Sequence, residues 1–200
     1  MKTRSHALGA LVFLVPILAL AQAPPAPTFA RGTIAAIDAD SLTIKGENGT
    51  TTKYAFGNQS TVTVLKPVSI DAIQAGSFIG TAEMPQKDGT GRSLEVHVFP
   101  PGQKAGEGHY PWDKKPGSMM TNGTVGKVTT TAKGRELEVS YPNGERKVVV
   151  PKNVPIVQFT SGTRADLKPN IPAFVVVIQT PNGPAAVNVA IGENGAKPPM

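Results

Sequence analysis

GTIAAIDADSLTIKGENGTTTKYAF (residues 32–56) and GTVGKVTTTAKGRELEVSYPNGERKVVV (residues 123–150) are two versions of one pattern. Gly32-Thr33-Ile34 matches Gly123-Thr124-Val125, Ile37 matches Val128, Leu42 and Ile44 match Leu137 and Val139, and Asn48-Gly49 matches Asn143-Gly144. The agreement runs on: Val62 and Val64 face Ile156 and Gln158, Ile73 faces Leu167, and Leu94, Val96 and Val98 face Val187, Val189 and Ile191. A fixed internal repeat of this kind marks a structural unit used twice.

Within each copy the apolar period is two, as in strands with one buried face. Leu42 and Ile44 alternate with Thr43 and Lys45, and Leu94, Val96 and Val98 alternate with Glu95 and His97. The reading therefore buries Tyr54, Phe56, Phe78 and Phe174 and points Glu95 and His97 outward. Asn-Gly and Asp-Gly pairs between the runs (48–49, 88–89, 143–144, 182–183) predict tight hairpins with positive φ at both central positions. Only residues 69–76 and 163–170 read as a helical turn, each stopped by Gly or Pro.

The fold expected from this pattern is all-β, with two tandem small OB-like β-barrels of five or six strands and one short helical turn each. A β-sandwich is the competing topology. The barrels are expected over 31–99 and 122–192, joined by an ordered linker over 100–121. A disordered Pro/Ala-rich start (22–30) and a flexible tail (193–200) complete the chain. A unit of this size buries only about 60% of its unfolded surface, so each barrel is expected to lean on the other.

The first 21 residues read as a secretory signal peptide: Lys2 and Arg4, an apolar run from Leu11 broken only by Pro16, then small residues. Cleavage is expected after Ala21, with Ala23 as the alternative. The apolar run is shorter than the roughly 20 residues a membrane span needs, and nothing later approaches that length. The absence of Cys excludes disulfides, a thiol nucleophile and a thiolate metal site. The net charge of +6 lies mainly in the second half, which makes that half the expected side toward an anionic surface component. The mature protein is expected to be exported, to have no membrane span and to bind no nucleic acid, because the aromatic residues fall on core positions rather than on an exposed stacking platform.

The segment GEGHYPWDKKPGSMM (106–120) carries the only Trp of the chain. An indole and a phenol in a Pro/Gly-rich connection favour burial, so Trp112 and Tyr110 are expected to plug the groove between barrels. If the segment is a site, Tyr110, Trp112 and Asp113 are its candidate ligand-binding residues. The metal alternative uses Glu107, His109, Met119 and Met120, with His97 joining them, for copper or another transition metal. No nucleophile elbow, zinc-binding His pair, phosphate loop or dinucleotide fingerprint occurs, so no catalytic residue is assigned. A hydrolase with an unrecognised carboxylate site stays open as a further alternative.

The order RGTIAAID-x-DSLTIK, IQAGSFIG, MPQKDG, LEVHVFP, GEGHYPWD-x-x-PGS-x-MTN and PPM resembles an uncharacterised family of exported bacterial proteins with OB-like barrel repeats. Some of its members carry a metal ABC transporter permease label, which a chain with no second apolar segment does not fit. The resemblance implies a bacterial, periplasmic protein and no catalytic residue. The function expected from all of this is a non-enzymatic periplasmic binding or scaffolding protein whose partner is another envelope protein or an anionic surface component.

Overall fold

The computed structural model describes residues 26–132 and 134–200, so the signal-peptide reading of 1–21 and most of the Pro/Ala-rich start lie outside the described residues. The strands are β1 (Thr28–Ile37), β2 (Ser41–Gly46), β3 (Thr51–Ala55), β4 (Thr61–Pro67), β5 (Phe78–Pro85), β6 (Gly91–Ser93), β7 (Val96–Val98), β8 (Gly108–Pro111), β9 (Met119–Thr131), β10 (Gly134–Tyr141), β11 (Gly144–Pro151), β12 (Ile156–Gly162), β13 (Pro172–Thr180) and β14 (Gly183–Gly192). The helical turns expected near 70 and 165 are 3₁₀ turns, Ile70–Ala72 and Arg164–Asp166, capped by Ser69 and by a Thr163–Asp166 capping box.

The 14 strands of the described residues belong to one continuous mixed sheet, ordered β13-β1-β2-β3-β14-β4-β12-β7-β5-β6-β11-β10-β9-β8. This overturns the expectation of two tandem OB-like barrels, and with it the fold that the family resemblance implied. Additional β13–β14 and β5–β9 pairings close two circuits in the ladder, and neither circuit is built from one half of the chain. Strands β1, β2 and β3 of the first half close with β13 and β14 of the second. In the same way β9, β10 and β11 of the second half close with β5 and β6 of the first.

The two cores show the same exchange. Ile34, Leu42 and Ile44 pack with Leu167, Val189 and Ile191, whereas Val125, Leu137 and Val139 pack with Ile73, Val96 and Val98. In the repeat these are matching sets, so each copy lends its first three strands to one core and its last strands to the other. The pairings correspond one to one: β1–β13 with β9–β5 (antiparallel), β3–β14 with β11–β6 (parallel) and β4–β14 with β12–β7 (parallel). Strands β4 and β12 cross antiparallel where the halves meet.

Local details repeat as well. An extra residue interrupts the register at Ala35 in β1, between Ile34 and Ala36, and at Gly126 in β9, between Val125 and Lys127, so both copies carry a bulge at the same place. Gly32 and Gly123 allow the paired strand to approach closely: a Cβ would lie 2.2 Å from the Lys45 carbonyl oxygen at the first and 2.4 Å from that of Ser140 at the second. The hairpin expectation needs correction. At residues 46–49 Gly49 N–H bonds to the Gly46 oxygen and Gly49 alone has positive φ, 82°. At the later turn Tyr141 pairs directly with Gly144, so Pro142 and Asn143 form its centre, and the fixed negative φ of Pro excludes the expected turn type.

Candidate functional site

The insert between the copies folds back onto the sheet. Its strand β8 pairs antiparallel with the start of β9, matching His109 with Thr121 and Tyr110 with Met120. The connecting loop is tied by Ser118, whose hydroxyl accepts from the Lys115 backbone N–H and lies 2.9 and 2.8 Å from the Trp112 and Lys115 backbone oxygens, which share its one proton, while the backbone N–H of Trp112 donates to the backbone oxygen of Ser118. Gly117 turns the loop at a φ of 77°. Four paired residues, of which the first is Gly and the last Pro, leave too short an alternation to be read as a strand from sequence.

Trp112 packs against Phe29 of β1 (ring centroids 4.6 Å apart) and Phe174 of β13 (6.5 Å). The wider cluster contains Leu65, Val157, Ala190, Met200, Phe159 and Val176. Asp113 receives both terminal nitrogens of Arg31, at 2.7 and 2.8 Å, and these bonds hold its carboxyl below the usual carboxylate range. The Arg31 guanidinium also lies 5.1 Å from the Phe174 ring centre and 6.0 Å from that of Trp112. Tyr110 Oη accepts from the Asn122 amide, and its burial raises the phenol above its usual range. Of the three ligand-binding candidates, Tyr110 and Asp113 therefore use their polar atoms within the protein. Trp112 does not: its Nε1 is buried with no hydrogen-bond partner among the described residues, an arrangement that costs about 1–3 kcal/mol.

His97 and Glu95, expected on an exposed face, are 5% and 0% exposed. Phe159 of β12, the strand paired with β7, and Phe99 lie against His97 on that face. His97 stacks flat on Phe159 (centroids 4.9 Å, planes 3° apart), and its Nδ1 lies 3.2 Å from Glu95 Oε2. Glu95 Oε1 accepts the Ala82 N–H, which lies where the sheet breaks between β6 and β7. His97 rests on Gly80, where a Cβ would lie 1.9 Å from His97 Nε2 and 2.2 Å from Asn122 Oδ1.

The proposed metal donors do not converge. His97 shares a row with Gly80 and Asn122, whereas His109 shares the next row with Thr81 and Thr121, and successive rows of a strand point to opposite faces. Neighbouring Met119 and Met120 diverge for the same reason. Glu107 lies 3.7 Å from Lys104, and His109 Nδ1 is 2.8 Å from the Thr121 hydroxyl. Burial, reinforced by Arg146, lowers the imidazole pKa of His109. Among the described residues no group of three or more His, Cys, Asp or Glu is placed to hold a metal ion.

Sequence reading missed Arg31, Lys114 and the segment that follows Gly195. Residues 193–200, expected as a flexible tail, form a 3₁₀ turn (Glu193–Gly195) and then an extended stretch with Pro198 and Met200 buried. Arg31 Nε donates to the Met200 backbone oxygen at 3.0 Å, and the Lys114 ammonium donates to that of Pro199. The alternation of Pro198 and Met200 around Pro199 was a usable signal, but two residues do not make a period. No helix among the described residues is long and apolar enough to cross a membrane. Comparison of the chain with protein-family models, curated proteins and solved structures finds no match.

Proposed function

We propose that the protein is an exported, non-catalytic binding module that engages another envelope component through the aromatic face on which the insert lies. The observation that carries this reading is the half-buried group of Phe29, Trp112, Phe159 and Val176 on one side of the sheet, around Leu65, Val157 and Phe174. Apolar side chains grouped at the surface mark interaction sites, and aromatic residues are enriched in them. The polar groups around them are engaged internally: Asp113 with Arg31, Tyr110 with Asn122, and Glu95 with His97 and the β5 backbone. That leaves the face suited to adhesion more than to proton or group transfer. Export is supported by the basic start and apolar run of the first 21 residues.

Val176 provides the test, because it faces outward from β13 between core residues Val175 and Val177. The mature protein, immobilised in envelope extract, is expected to retain a partner that the Val176→Glu variant releases. Equal recovery by both, with the variant unfolding at the wild-type temperature, removes the face from the reading.

A further inference from the structure

The segment Lys197–Met200 lies in a groove whose two walls have different chemistry. On one side Arg31 and Lys114 donate to the backbone oxygens of Met200 and Pro199, contacts that ignore side-chain identity. On the other, Met200 enters the cluster of Leu65, Val157, Phe174 and Ala190, with Trp112 at its margin. The segment is pre-extended. Ala196 has φ −61° and ψ 147°, and the two prolines have φ fixed near −65°, so a polyproline II strand enters the groove with little entropy left to lose.

Three observations show that this occupant leaves the groove incompletely used. Trp112, at the margin of the cluster that Met200 enters, has a buried Nε1 donor with no acceptor among the described residues. An open apolar groove lined by Leu65, Pro67, Val68, Pro155 and Val157 continues along the flank of Pro199. Among the described residues, no backbone N–H of 197–200 bonds to another backbone group, so the segment is held by side chains alone. Docking of this kind lacks the backbone ladder that holds the strands, so a competing segment has no sheet hydrogen bonds to break.

We propose that the groove is a binding site for an extended Pro-Pro-apolar peptide carried by a partner protein, and that Lys197–Met200 occupies it in competition. The inference rests on the binding-module reading above and names the partner's chemistry. Aromatic-lined grooves recognise polyproline II segments because the ligand is already ordered. Here Trp112 would donate to a ligand carbonyl, Arg31 and Lys114 would grip two more, and the apolar side chain would fill the place of Met200.

The test uses the full mature chain, its single Trp as reporter, and an acetylated, amidated peptide of sequence Ala-Lys-Pro-Pro-Met. A Pro198→Ser, Met200→Ser double variant loosens the segment without shortening the chain. Its Trp emission is expected to respond to the peptide saturably, at a concentration at least about tenfold below that needed by the wild type. A peptide with Ser in place of Met should fail, and adding Lys114→Met to the double variant should weaken binding. No response in a natively folded double variant overturns the inference, as does conversion of the wild type into dimers that exchange the segment between copies. Envelope capture separates the two readings: a partner that is sensitive to Val176→Glu but unaffected by excess peptide leaves the binding module standing and removes the peptide site.

Discussion

Replacing Arg146 by Met is expected to destabilise the protein by about 3–5 kcal/mol at neutral pH, because it leaves a buried carboxylate without its partner. Glu83 is fully buried on the same side of β5 as the core residue Ile79, and its Oε1 accepts Arg146 Nε at 2.7 Å. The rest of the guanidinium is spent on the Gly89 and Thr90 oxygens at the β5–β6 turn, so Arg146 ties β11 of the second half to a hairpin of the first. Burial raises the carboxyl pKa of Glu83, and Arg146 partly opposes the rise. A carboxyl whose folded pKa exceeds its unfolded value adds stability when protonated, and that contribution is lost as pH rises from the ordinary glutamate value of 4.5 through the folded pKa. Without Arg146 the folded pKa climbs further, so the variant should recover much of its loss toward pH 4 and fall behind the wild type as pH rises. Urea unfolding across that range checks the effect. A Glu83→Gln, Arg146→Met double variant should be more stable than Arg146→Met at pH 7, and equal losses in the two would show that the charge is not the cause.

Ala at Gly32 or Gly123 is expected to cost about 3 kcal/mol or more at each position, at or beyond the upper end of ordinary overpacking. The obstacle is backbone in both cases, the carbonyl oxygens of Lys45 and Ser140, so no side chain can rotate away. The control is Gly126→Ala at the bulge of the second copy, where the nearest atom to a new Cβ, the Glu138 oxygen, is 3.7 Å away and φ is not positive. That change should stay within about 1 kcal/mol of wild type, since a less flexible unfolded chain offsets small losses. Thermal unfolding of the three variants checks the ranking. Similar losses at all three positions would mean that the two matching glycines have no special role.

These positions show how far the sequence could be read. The matching Gly32 and Gly123, the alternation of Leu42 with Ile44 and of Leu137 with Val139, and the paired 3₁₀ turns are local features, and residues a few positions apart in the chain determine them. Which copy's Val96 or Val189 packs on Ile34 is not local. Because the copies match, a strand finds equivalent neighbours in its own half and in the other, the condition under which segments exchange. Periodicity was therefore silent on the exchange that makes one sheet of 14 strands. The burial of Glu95 and His97 was hidden for a similar reason. Alternation identifies the two faces of a strand, but not the aromatic side chains that neighbouring segments bring over the polar one, here Phe159 and Phe99. The candidate site was legible where it rests on Trp112, whose apolar bulk demanded cover, and illegible where it rests on Arg31, a single cation in a β1 strand with nothing local to mark its partners Asp113 and Met200.

The exchange of strands between halves is tested most directly by cutting the chain between them. A protease site placed in the exposed loop at 102–105 would nick the folded protein without touching a strand. The two fragments are expected to co-elute as one species, to unfold in one transition, and to part only in denaturant, because each core needs strands from both. Fragments that separate under native conditions, each keeping its β-sheet circular dichroism, would contradict the account.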